Sequence, residues 1–141
     1  MYSIIICAHG DLAESLKRSA EMIFGKVQNV SPIRFVPGEN QDDLKKKMNQ
    51  ALQENDLQEC LILTDLFCGS PYNAAAALAY EDKNLDVLAG VNLPLLLEAI
   101  SNQNQKDLTG IIAYLKQVSS ETIKFFSEML KNSENEEDEL L

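Results

Sequence analysis

The chain has 141 residues, with 12 Lys and Arg against 22 Asp and Glu, so its formal net charge is 12 − 22 = −10. That size fits one domain with a core of its own, and that charge repels nucleic-acid backbones and anionic membrane surfaces. No basic segment precedes an apolar one, no apolar run approaches the roughly 18 residues of a membrane span, and three cysteines, Cys7, Cys60 and Cys68, lack disulfide or zinc spacing. A reduced, cytoplasmic chain is the expectation.

The first element predicted is a strand from Tyr2 to Ala8, where Ile4, Ile5 and Ile6 form a run suited to burial on both faces. A helix follows, with Asp11 as its cap, Glu14 completing a capping box, Leu12, Leu16, Ala20 and Ile23 as its apolar stripe, and Gly25 as its stop. A second strand is expected over Ile33 to Val36, closed by Pro37 and Gly38, then an amphipathic helix over Gln41 to Gln53. The run of Lys45, Lys46 and Lys47 on that helix reads as a solvated face.

The alternation continues with a buried strand at Cys60 to Thr64, an alanine-rich helix at Pro71 to Tyr80, a strand at Leu85 to Val91 and a helix at Pro94 to Ile100. Beyond Asp107 the pattern fits either one interrupted helix or a helix, a short strand at "ETIKFF" and another helix. From Asn132 the acidic "NSENEEDELL" has no core-forming pattern and reads as a solvated or frayed tail, leaving residues 1–131 as one domain and 132–141 outside it. Strands alternating with helices imply a parallel sheet covered on both faces.

In such sheets, ligands and chemistry collect beyond the carboxyl ends of the strands. His9, the only histidine, stands at one such end and Asp65 at another. If their strands are neighbours, the carboxylate accepts from one ring nitrogen, fixes the tautomer and leaves the other nitrogen as a nucleophile. The loop "DLFCGSPYNAA" adds Gly69, Ser70 and Pro71 before a helix whose free N–H groups favour phosphate. Each feature alone has a plainer role: a hydrogen-bonding histidine, an N-cap serine, a turn aspartate, and glycines (Gly10, Gly69) needed for tight bends.

Competing motifs are missing. There is no G-x-G-x-x-G after the first strand and no G-x-x-x-x-G-K-[ST] anywhere. A cysteine-phosphatase loop on Cys7 would need an arginine where Ala13 stands. One histidine with nearby cysteines matches no standard zinc set, so neither metal nor cofactor is expected.

Three segments, "IIICAHGDLAESL", "LTDLFCGSPYNAA" and "AGVNLPLLLEA", together resemble the EIIA component of the mannose-family sugar phosphotransferase system over nearly the whole chain before the tail. The resemblance implies an open, mostly parallel sheet of four strands between helices on both faces, a three-layer α/β fold, with "ETIKFF" as an antiparallel edge strand exchanged in a homodimer. It implies that His9 is phosphorylated by the phosphocarrier protein HPr and hands the group to a histidine of the EIIB component. Membrane EIIC and EIID components would be reached only indirectly.

Asp65 would orient His9, Ser70 would contact phosphoryl oxygens, and Gly10, Gly69, Asn92 and Pro94 would shape the rim. Cys68 departs from the family pattern, which often has glycine there; both Cys68 and Cys7 read as packing residues. Two other roles fit the same histidine: the phosphoryl-donor subunit of dihydroxyacetone kinase, and a regulatory binding module whose phosphorylation state is its output.

Overall fold

The computed structural model describes the backbone of residues 1–140 and the side chains of residues 1–136. Four strands, β1 (Ser3–His9), β2 (Val30–Phe35), β3 (Cys60–Thr64) and β4 (Leu85–Ala89), form one sheet in the order β2-β1-β3-β4, every pairing parallel. Between and after them lie α1 (Leu12–Phe24), α2 (Gln41–Gln53), α3 (Ser70–Glu81), α4 (Leu93–Ser101), α5 (Leu108–Val118) and α6 (Phe126–Leu140). Among the described residues, no helix is long and apolar enough to cross a membrane.

The period of two along each strand divides the core into two layers. Tyr2, Ile4, Ile6, Leu61 and Leu63 face one side, against Ala13 and Ala20 of α1, Leu95, Leu96 and Ala99 of α4, and Ile111 and Leu115 of α5. Ile5, Cys7, Cys60 and Ile62 face the other, against Leu44 and Met48 of α2 and Ala74 and Ala75 of α3. The result is the expected three-layer α/β fold. Fully burying each Leu or Ile contributes about 1.5–3 kcal/mol, so the two central strands, buried along nearly all their length, anchor the sheet. Alanines on α3 let it approach the sheet closely, which fixes where its N-terminus lies.

Several local expectations are corrected. Asp11 makes no side-chain cap, and Glu14 instead grips Arg34 through two hydrogen bonds of 3.0 and 2.9 Å. The planar guanidinium matches a carboxylate better than a backbone N–H does. Leu12 and Ile23 are exposed, because α1 rests on the sheet through Ala13, Leu16 and Ala20. Strand β2 starts at Val30, earlier than expected, since Pro32 lies on an edge strand where its missing N–H costs little.

Residues 119–122 form a short 3-10 turn, Ile123 has extended dihedrals, and α6 then runs through the expected acidic tail. "ETIKFF" forms no strand within this chain's own sheet. Glutamate is a good helix former, which explains the helix where a frayed tail was expected. Residues 125–136 are exposed, and the end of the expected tail, 137–141, lies outside the described side chains.

Candidate active site at the carboxyl edge of the sheet

Strands β1 and β3 are neighbours with Cys7 opposite Thr64, so the chain leaves β3 into Asp65 directly beside His9. The imidazole Nδ1 lies 2.9 Å from Asp65 Oδ2, and the His9 backbone N–H donates to the same oxygen at 3.1 Å. An ionised carboxylate only accepts, so the ring proton belongs on Nδ1 and the Nε2 lone pair is left free. The His9 side chain is 49% exposed and that of Asp65 14%, which leaves the imidazole reachable and the carboxylate beside it sheltered.

The ring is bounded on two further sides. Phe35, opposite His9 in the β1–β2 register, meets it edge-on with ring centroids 5.2 Å apart. Gly69 lies so close that a Cβ there would stand 3.3 Å from His9 Cε1. Gly10 (φ +61°) turns the chain out of β1 and donates its N–H to the Phe35 carbonyl at 2.8 Å.

Helix α3 begins with Gly69 as its N-cap and has no side-chain cap. Ser70 and Pro71 are its first residues, and the Asn73 N–H is bonded to the Gly69 carbonyl at 2.9 Å. The N–H groups of Ser70 and Tyr72 precede the helical ladder, and together with the helix dipole they make this end a place for an anion. Ser70 therefore stands at the helix start as expected, inside the helix rather than as its cap. The Asn73 side chain donates to the Cys68 carbonyl at 3.2 Å and steadies the loop.

Asn92 and Pro94 belong to a neighbouring turn. The Asn92 side chain accepts from the Leu95 N–H at 2.9 Å and donates to Thr122 Oγ1 at 3.0 Å, so its hydrogen bonds go to the α4 cap and the 3-10 turn. The Gly90 and Val91 N–H groups both donate to the Thr64 carbonyl at 3.0 Å, which ties this loop to the residue before Asp65. Direct contacts thus join His9 to Asp65 and Gly69, with Ser70 following Gly69 and Gly10 following His9 in the chain, while the side-chain hydrogen bonds of Asn92 go elsewhere.

The cysteines separate. Cys7 is fully buried, and burial, with Asp65 adding to it, pushes its thiol up to about 12, so it is a packing residue. Cys68 is exposed with φ +62° and does not pack as expected. Its left-handed backbone accounts for glycine being the easier residue at that position.

Phe35 and Lys47 escaped the sequence reading. Only the parallel register brings Phe35 to the imidazole. Lys47, expected on a solvated face, bonds the Arg34 carbonyl at 2.9 Å and pairs with Glu39 at 2.6 Å.

Fold and site define a parallel α/β protein that presents one oriented histidine beside a helix N-terminus without a side-chain cap. Residues 3–116 match the family described as the PTS system fructose IIA component, EIIA-man. The chain is 41% identical to the PTS system fructose-specific EIIA component of Bacillus subtilis, over 99% of this chain and all of that one. It is 37% identical to the PTS system sorbose-specific EIIA component of Lacticaseibacillus casei, over 96% and 98%. The crystal structure of phosphotransferase system component EIIA from Streptococcus agalactiae superposes with a TM-score of 0.84 at 32% identity, covering 91% of this chain and 99% of that one. This chain belongs to the mannose-type EIIA family of the sugar phosphotransferase system, and its role is that of a phosphoryl carrier in sugar uptake.

Proposed function

We propose that His9 carries the phosphoryl group, receiving it from a phosphohistidine of HPr and passing it to a histidine of an EIIB component, which makes the chain a protein-histidine phosphotransferase. The observation that carries this is the half-exposed imidazole with Nδ1 held 2.9 Å from a sheltered carboxylate. The free Nε2 lone pair attacks phosphorus, the donor's N–P bond breaks, and its electron pair returns to the donor ring. Asp65 stabilises the positive charge that the His9 ring then acquires. The Ser70 hydroxyl and the first N–H groups of α3 serve the phosphoryl oxygens, while Gly69 and Gly10 leave room for them. Catalysis here is alignment and charge stabilisation, and the scheme requires no metal.

The same reading places the protein in the cytoplasm, with membrane components served only through EIIB. A homodimer completes it, with "ETIKFF" of one subunit added to the β4 edge of the other. In support, β4 is an edge strand beside a groove of about 520 Å³ lined by Leu88, Ile112, Leu115 and Ile123, and Ile123, Phe125 and Phe126 are exposed.

The test is phosphorylation by phosphoenolpyruvate through the general enzyme and HPr, followed by addition of a mannose-family EIIB. Acid-labile phosphate on wild type, none on His9→Ala, and transfer to EIIB are expected. Normal transfer through a folded His9→Ala protein would end the proposal.

A further inference from the structure

Phe35 is fixed more firmly than an edge-strand residue requires. Its carbonyl accepts from the Gly10 N–H at 2.8 Å. On one side of it, the Arg34 carbonyl accepts from Lys47 Nζ at 2.9 Å; on the other, the Val36 N–H donates to Glu39 Oε1 at 2.9 Å. Glu39 and Lys47 then close the loop with an ion pair of 2.6 Å. One acid and one base thus bracket the peptide units flanking a single aromatic ring, and that ring meets His9 edge-on at an interplanar angle of 77°.

The imidazole needs such a neighbour. Rotation about its Cβ–Cγ bond is broad and roughly two-fold, so the side chain itself provides little barrier to a flip that would replace Nδ1 by Cδ2 at Asp65. Gly69 bounds the ring at Cε1, where an added Cβ would be 3.3 Å away. We propose that Phe35 is a positioning residue for phosphoryl transfer: held by the Glu39–Lys47 pair, its ring confines the His9 imidazole to the orientation in which Nδ1 stays on Asp65. This rests on His9 being the phosphoryl acceptor.

Because the chain has one histidine, long-range proton–nitrogen spectra of the full, unphosphorylated protein report that ring alone. Wild type, Phe35→Leu, Phe35→Tyr, Glu39→Gln and the Phe35→Leu/Glu39→Gln pair are compared by these spectra and by phosphoryl uptake from HPr. Phe35→Leu is expected to average or broaden the His9 nitrogen signals and to lower the rate at saturating HPr roughly three- to tenfold, the size an edge-on aromatic pair supports, with KM little changed. Phe35→Tyr, which keeps the ring, recovers most of both readouts. Glu39→Gln moves both in the same direction but less, and the double variant is no worse than Phe35→Leu.

A folded Phe35→Leu protein with the wild-type spectrum, or with a changed spectrum and an unchanged rate, overturns the proposal. If Phe35→Leu does not fold, an unaltered spectrum and rate in Glu39→Gln overturn it instead. A wild type that accepts no phosphate, while its imidazole spectrum still responds to Phe35→Leu, sinks the acceptor role of His9 and with it Phe35's part in transfer, leaving only the confinement of the ring.

Discussion

One oxygen of Asp65 holds His9 twice: Oδ2 accepts both the backbone N–H and the ring Nδ1, while Oδ1 is buried with no hydrogen-bond partner among the described residues. The carboxylate therefore joins the end of β1 to the end of β3 and sets the imidazole tautomer with the same atom. In Asp65→Asn the carbamoyl oxygen keeps the backbone bond, so the fold persists, but the negative charge facing the ring is gone. Phosphoryl uptake should fall about a hundredfold, measured by rapid quench against an unchanged far-UV dichroism spectrum. Asp65→Ala loses both bonds and should also lower stability by about 1–3 kcal/mol.

Gly69 tests the crowding at the ring. Its backbone dihedrals (φ −78°, ψ 168°) suit any residue, so Gly69→Ala should fold with a melting temperature near that of wild type. The new Cβ would stand 3.3 Å from His9 Cε1 and 3.4 Å from the Leu66 carbonyl oxygen, and the imidazole is the part that moves. Slower phosphoryl uptake at unchanged stability is the expected outcome; unchanged uptake would show that the ring does not rely on that contact.

The thiols offer a direct check of burial. Burial raises Cys7 to about 12 and Cys60 to about 11, and only Cys68 is exposed. At pH 8 both buried groups stay protonated, and thiolate is the reactive form. Native protein should release one equivalent of chromophore from a disulfide reagent, with two more on denaturation.

Asn92 should behave as a helix cap. Asn92→Ala removes the acceptor for the Leu95 N–H and the donor to Thr122, so urea unfolding should show a loss of about 1 kcal/mol. A loss of phosphoryl transfer well beyond that loss of stability would instead make the side chain part of the rim.

The Glu39–Lys47 pair predicts a pH dependence. Hydrogen bonds from Lys47 and then from the Val36 N–H hold the Glu39 carboxyl below its ordinary value. A lowered folded-state value means that the stabilisation is fully present above the unfolded glutamate range and is lost as pH falls through the folded value. The urea-midpoint difference between wild type and Glu39→Gln should therefore be steady near neutrality and shrink below about pH 4.3.

The sheet was readable because Ile4–Ile6 and "CLILT" are apolar runs of strand length, and the pairing of His9 with Asp65 follows once β1 and β3 are adjacent. What escaped depends on neighbours. Pro32 hides an edge strand, because a missing donor is harmless only where nothing pairs with it. Phe35 is unremarkable in "IRFVPG" until the register sets it opposite His9. Glu14 looked like a capping partner because local spacing cannot show that Arg34 crosses from β2 to take it. A last helix after "ETIKFF" is one of the two readings of the sequence, but its continuation past Asn132 escaped because that sequence lacks a buried face, and residues 126–136 are indeed exposed.

The separation of 56 positions from His9 to Asp65 also sets a schedule. At a synthesis rate of roughly 5–20 residues per second, the carboxylate leaves the ribosome about 3 to 11 seconds after the histidine. Until β3 emerges and zips onto β1, the growing chain displays an ordinary imidazole with no fixed tautomer, no glycine wall and no helix end beside it. If His9 carries the phosphoryl group as proposed, its orienting carboxylate is in place only once the middle of the sheet has closed, and the helix end beside it follows later, with Ser70–Glu81.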